Sequence, residues 1–251
     1  MKKIKNPLIR RIPKELIGDW KKYLVVFLFL VLTIGFVSGM YVANESMITS
    51  ANEGVTKYKQ EDGHFELKKQ ADATLLSAIE TGEKADFKAT KTTLYENFFR
   101  NEEEDYNNDG KKDGTIRVFA KIKDINLACM LQGSFPQKAD EIAIDRMHAD
   151  NVGIKVGDTV TVSGETYKVV GLLAYVNYST LHEKTTDLMF DALKFDVAMV
   201  TQDGFDRLHK SIHYTYAWKY ETEPADEAEE KTRSDNFMRA LLTQVVVADN
   251  E

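Results

Sequence analysis

Nine consecutive residues carry the clearest chemical pattern in the chain: Asp105-Tyr106-Asn107-Asn108-Asp109-Gly110-Lys111-Lys112-Asp113. Side-chain oxygens recur at alternate positions on Asp105, Asn107 and Asp109, and Gly110 follows in the sixth place, where a sharp turn favours glycine. Lys111 would offer its backbone carbonyl, and Asp113 stands ninth. This order predicts a calcium loop formed by Asp105, Asn107, Asp109, Lys111 and Asp113, at the weak extracellular end of such sites, about 0.1 to 1 mM. Position twelve, which should be a bidentate Glu, is Ile116. A polar hairpin loop explains the same residues equally well, because Asn, Asp and Gly suit turns for their own reasons.

Other reactive residue types are sparse. His209 and His213 would align only on an unbroken helix, and a helix-to-strand change is read between them, so zinc is not expected there. His64, His148 and His182 stand alone, and Glu102-Glu103-Glu104 reads as a solvated face. Cys129, the single cysteine, lies in the apolar run Leu127-Ala128-Cys129-Met130-Leu131 and reads as a small buried hydrophobe. It leaves no intramolecular disulfide to form. No paired acid and base, no GxSxG and no GxxxxGK[ST] occurs, so an enzyme is not expected, nor any cofactor beyond the weak calcium.

The elements that must position these residues begin with a membrane anchor. Residues 23–43 contain no charge, and a bilayer core needs about 20 apolar residues. A cleaved signal would have a shorter apolar run and a small residue where Tyr41 stands; Val37-Ser38-Gly39 is a weaker cleavage candidate. Lys2, Lys3, Lys5, Arg10, Arg11, Lys14, Lys21 and Lys22 precede the span against only Glu15 and Asp19, which puts the N-terminus in the cytoplasm and the bulk of the chain outside. The chain's net charge of −7 thus divides into +6 for residues 1–44 and −13 for the rest. An acidic exterior without a basic cluster disfavours nucleic acid as a partner.

Residues 1–22 read as an amphipathic elbow on the inner leaflet, with Trp20 and Tyr23 at the lipid boundary. Gly35 and Gly39 form a GxxxG within the span, a weak signal for a packing face. The helical pattern continues as a stalk over 44–60. Beyond it, periodicity predicts strands at 64–68, 92–99, 115–122, 141–144, 159–162, 167–173, 195–200 and 213–220, and helices at 72–81, 145–151, 202–210 and from Thr222 to near Thr243. The expected class is an α+β (mixed α/β) extracytoplasmic domain, 44–251, on a single N-terminal transmembrane helix.

Three pieces together resemble a known family. The basic elbow and span, the block from Gly133 to Gly171 (with Phe135-Pro136, Glu141-Ile142-Ala143-Ile144, Val156-Gly157-Asp158-Thr159 and Val169-Val170-Gly171), and the run DLMFDALKFDVAMVTQDGF at 187–205 are similar to ABC-transporter permeases of the FtsX/MacB type. The resemblance implies the N-terminal part of such a permease, truncated or split before further membrane spans. It also implies a cytoplasmic ABC ATPase subunit and a second permease half or copy as partners, with the lipid bilayer. The exterior domain would then move with the ATPase cycle. A stand-alone anchored binding or adhesion protein with a calcium-stabilised domain is the alternative.

If the 105–113 loop binds calcium, the ion stabilises the folded chain by about 1.4 kcal/mol at ten times its Kd. Calcium at millimolar concentration should raise the melting temperature by a few degrees, magnesium much less, and Asp105→Ala should abolish the shift. An unchanged melting temperature would leave the loop a polar turn.

Overall fold

The computed structural model describes residues 17–81, 92–178, 180–184 and 186–248. Most of the expected elbow, residues 1–16, lies outside the described residues. The chain divides into two units, residues 1–53 and 54–251.

Helix α1, Trp20–Lys57, spans 38 residues without interruption. Among the described residues it is the one helix long and apolar enough to cross a membrane. From Tyr23 to Val42 its large apolar side chains are exposed, and the Thr33 hydroxyl, the kind of polar group lipid would leave unsatisfied, donates to the Phe29 carbonyl at 2.8 Å.

The second unit contains two sheets. In the smaller, β1 (Gly63–Leu67), β10 (Tyr214–Tyr220) and β2 (Thr92–Glu96) pair antiparallel in the order β1-β10-β2. Alternation along β10 sends Tyr216, Trp218 and Tyr220 to one face. There they meet helices α2 (Ala73–Thr81) and α5 (Glu227–Ala248), with the Trp218 and Phe237 rings 4.4 Å apart. Gly63 is required here, because a Cβ on it would lie 2.2 Å from the Trp218 ring.

The larger sheet is mixed and closes on itself. Its strands are β3 (Phe99–Asp105), β4 (Gly114–Ala120), β5 (Ala128–Gly133), β6 (Glu141–Asp145), β7 (Thr159–Val162), β8 (Glu165–Tyr175) and β9 (Phe195–Val200), in the order β5-β8-β6-β9-β4-β3-β7. Because β7 also pairs with the first half of β8, six strands complete a ring and β5 extends it along the second half of β8. The pairs β4–β9 and β6–β8 are parallel and the others antiparallel. Ile116, Val118, Ile142, Ile144, Val160, Val162, Tyr167 and Val169 fill one core, and Phe99, Phe119, Leu173, Tyr175, Val197 and Met199 fill another on the opposite face.

The expected α+β class is what the chain adopts, with local departures. The strand read as 92–99 is two strands in different sheets, parted at Asn97-Phe98. The polar residues after it are β-strand through Asp105. Consequently Glu102 and Glu104 are not on a solvated face: register pairs Glu102 with Ile116 and Glu104 with Gly114, so both point inward and are fully buried. The helix expected over 202–210 is the short α4, Gln202–Asp206, capped by Thr201. The last helix starts at Glu227, with the Asp226 carboxylate rather than Thr222 accepting the first-turn N–H of Glu229.

Two expected turns form as read. Asp145 caps helix α3 (Arg146–Val152) by accepting the N–H groups of Met147 and His148, and Gly153 ends it in the left-handed region at φ 84°. Ser163-Gly164 (φ 48° and 87°) turns β7 into β8.

Gly171 sits where β8 is flanked by both β5 and β6. A Cβ there would come within 2.5 Å of the Ser134 carbonyl oxygen and 2.7 Å of the Met130 sulfur. Gly171→Ala should therefore destabilise the folded chain by about 1 to 3 kcal/mol in chemical denaturation. Parent-like stability would show that the β5 edge can shift to accept a methyl group.

Candidate functional site

In the loop between β3 and β4, the side-chain oxygens of Asp105, Asn107 and Asp109 are turned onto the loop's own backbone. The two carboxylate oxygens of Asp105 accept the N–H groups of Asp109 (3.0 Å) and Gly110 (2.8 Å). The Asn107 side-chain oxygen also accepts from Asp109, and Asp109 accepts from the N–H of Lys111. Asp113 donates its N–H to the Glu104 carbonyl and lies at the far side of the loop, 3.5 Å from the Asn107 amide nitrogen. Gly110 has φ 84°, as the turn requires. Ile116, the twelfth position, is fully buried in the barrel.

One residue before this loop, the chain places a cluster that the sequence reading left scattered. Glu104 at the end of β3, His148 on α3 and Asp196 at the start of β9 each present one ligand atom, all within 4.8 Å of one another, and all three side chains are fully buried. Strand parity explains two of them: Glu104 shares an inward face with Glu102, and Asp196 stands beside Ile116 in the β4–β9 register. The Asp145 cap aims α3 so that His148 is directed at the same point.

Hydrogen bonds orient this group without satisfying it. Asp196 accepts the N–H groups of Val197 (2.7 Å) and Asp145 (3.1 Å) on one carboxylate oxygen. The His148 Nδ1–H donates to the Ala192 carbonyl at 2.7 Å, since a carbonyl can only accept. Both Glu104 carboxylate oxygens, the second Asp196 oxygen and His148 Nε2 have no hydrogen-bond partner. Burial and the neighbouring His148, Glu104 and Asp145 charges act on Asp196 with the net effect of raising its pKa well above the carboxylate range. Burial alone would lower the His148 pKa, but the Asp196 and Glu104 carboxylates raise it to about 9. Asp145 is pushed up by burial against the pull of its two N–H donors.

A third feature is a cleft of about 670 Å³ bordered by Glu66, Asn101, Arg117, Tyr178, His182 and His213. Arg117 organises it by donating to Asn101 (3.0 Å), the Tyr178 hydroxyl (3.0 Å) and the Glu183 carbonyl (2.9 Å), with its guanidinium 4.3 Å from the Phe99 ring centre. His213 is held by Glu66 at 2.7 Å and stacks on Phe99, a separate setting from the helix turn that precedes it. Cys129 is half-buried rather than fully enclosed, and its sulfur accepts the Tyr58 hydroxyl at 2.8 Å.

Sequence alone gave a signal for only part of the buried cluster. Asp196 is an acid inside FDVAMV, an otherwise apolar strand in which all six residues are buried. An acid in such a strand needs a partner, but 48 positions separate it from His148 and local spacing does not name that partner.

No protein-family model and no curated protein matches the chain. Among solved structures it is similar to the periplasmic region of MacB from Actinobacillus actinomycetemcomitans, with 10% identity and a TM-score of 0.35 over 66% of this chain and 73% of that one. It is also similar to the extracellular domain of the noncanonic ABC-type transporter YknZ from Gram-positive bacteria, with 14% identity and a TM-score of 0.35 over 71% of this chain and 92% of that one.

Arg117 ties the 178–184 segment to β4 through charge-assisted hydrogen bonds. Arg117→Ala should cost about 1.5 to 3 kcal/mol and open that segment to limited proteolysis first. Unchanged cleavage at 178–184 would show that the aromatic contacts hold it by themselves.

Proposed function

We propose that this chain is the N-terminal part of an ABC-transporter permease of the FtsX/MacB type, anchored by α1 with its N-terminus cytoplasmic and its folded unit outside. The observation that carries the reading is how the chain is fastened where α1 ends. Directly after Lys57, the Tyr58 carbonyl accepts the Leu127 N–H (2.8 Å) and the Lys59 carbonyl accepts the Asn126 N–H (3.0 Å). Asn126 also donates to the Glu61 carboxylate, and the Tyr58 hydroxyl donates to Cys129 on β5. Under this reading, a displacement of the helix end would bear first on the 126–129 segment and β5. This suits a domain that is moved mechanically rather than one that encloses a solute path.

Further support comes from the block resembling the family, 133–171, which supplies β6, α3, β7 and most of β8, nearly half of the closed sheet. The basic excess before α1 favours the cytoplasmic N-terminus. An ATPase subunit would then supply the nucleotide chemistry, with a second permease half or copy completing the assembly in the bilayer. Leu188 and Met189, 98% and 84% exposed in the run that resembles the family, are suited to engage a substrate or a neighbouring subunit.

Two readouts from one membrane preparation test this. An export-dependent reporter fused after Asn250 should be active, and affinity purification through the chain in mild detergent should bring down an ABC ATPase. A reporter active only in the cytoplasm would overturn the orientation. Recovery of the chain without any ATPase would favour the anchored binding protein.

A further inference from the structure

We propose that Glu104, His148 and Asp196 bind a divalent transition-metal ion, with zinc as the reference case, inside the closed sheet where β3, β9 and α3 meet. The inference concerns residues outside the expected calcium loop and is independent of the permease reading. Four polar atoms at this one point lack a hydrogen-bond partner: both oxygens of Glu104, one oxygen of Asp196 and Nε2 of His148. All three side chains have no exposed surface, so water outside the fold does not compensate them.

The tautomer makes the case sharper. With Nδ1–H donated to Ala192, a neutral His148 directs the lone pair of Nε2 at two carboxylates, so acceptors face acceptors. Only a cation placed between them, a proton or a metal ion, resolves this. The Nε2 to Glu104 Oε2 separation is 3.4 Å. That is longer than a charge-assisted hydrogen bond of about 2.7 to 2.9 Å. It matches the edge of a coordination tetrahedron, about 3.3 to 3.4 Å when metal–ligand bonds are about 2.0 to 2.1 Å.

Charge and ligand type agree. A neutral imidazole and two carboxylates carry two negative charges, which one divalent ion neutralises. An imidazole among the ligands favours zinc, iron, nickel or copper over magnesium and calcium, which prefer oxygen alone. The supporting contacts have the character of an outer shell: Ala192 fixes the ring, and the N–H groups of Asp145 and Val197 hold the other Asp196 oxygen. The ligands sit on two strands and a capped helix, so an ion would clamp β3, β9 and α3 together. Because the cluster is buried, the ion would enter during folding and exchange slowly.

The test uses the full chain, produced in cells grown with added zinc or cobalt and purified in detergent with a chelator in the wash. Plasma mass spectrometry should find one equivalent of metal per chain, and the cobalt-grown protein should show visible ligand-field absorption. Glu104→Gln and Asp196→Asn, which keep shape and remove charge, should each lower the retained metal at least tenfold. His64→Gln and His213→Gln, at surface histidines, should leave it unchanged. His148→Gln should abolish the cobalt bands. Should that variant not fold, the two isosteric acid variants decide. Metal-free parent protein, or metal retained equally by Glu104→Gln and Asp196→Asn, would overturn the site and leave a proton-bridged ion cluster in its place.

Discussion

The second unit depends on one strand bonding to three others. β8 pairs with β7 along its first residues, with β6 through its middle and with β5 at its end, so it takes part in every closure of the larger sheet. A strand that has partners on both edges leaves no free backbone groups to template aggregation. Closure also creates an inside, and the inside determines the remaining constraints. Valine and isoleucine fill most of it, and Gly133 and Gly171 let β5 approach closely enough to pair at the rim.

An enclosed interior makes its polar residues consequential. Glu102 is inward and buried, yet satisfied, because the Ser163 hydroxyl and the Lys210 N–H donate to its carboxylate. Glu104, two residues on, faces the same interior without such donors. The contrast is physical: the same strand parity buries both acids, but only Glu102 lies beside the β7–β8 turn and the chain after α4, which carry donors. Glu104 has instead His148 and Asp196, a set whose demands are met by a shared cation. Burial raises the pKa of both Asp196 and Asp145, and the Glu104 and Asp145 charges push Asp196 further in the same direction.

Outside this interior, the structure uses side chains as ties. Arg117 links β4 to the 178–184 segment, Tyr58 links the end of α1 to β5, and Asp62 holds β10 by accepting from Lys219 and from the Tyr220 N–H. Each tie joins residues far apart in sequence across short hydrogen bonds.

Much of the architecture was legible residue by residue. The uncharged run at 23–43 has the length and composition of a membrane-crossing helix, and the helical pattern beyond it continues to Lys57. Asp145 and Gly153 bound α3, Ser163-Gly164 turns a hairpin, and the mixed α+β class follows from their alternation, since capping, glycine φ and period-two burial are all local properties. What the sequence could not determine was which inward face each strand shares. The acids at 102–104 look solvated because their neighbours are polar, and His148 looks isolated because Glu104 and Asp196 stand 44 and 48 positions away from it. Closure of the sheet brought residues 104, 148 and 196 to one buried point. That proximity depends on register and strand order, which are set by the packing of the whole core and are absent from any local window.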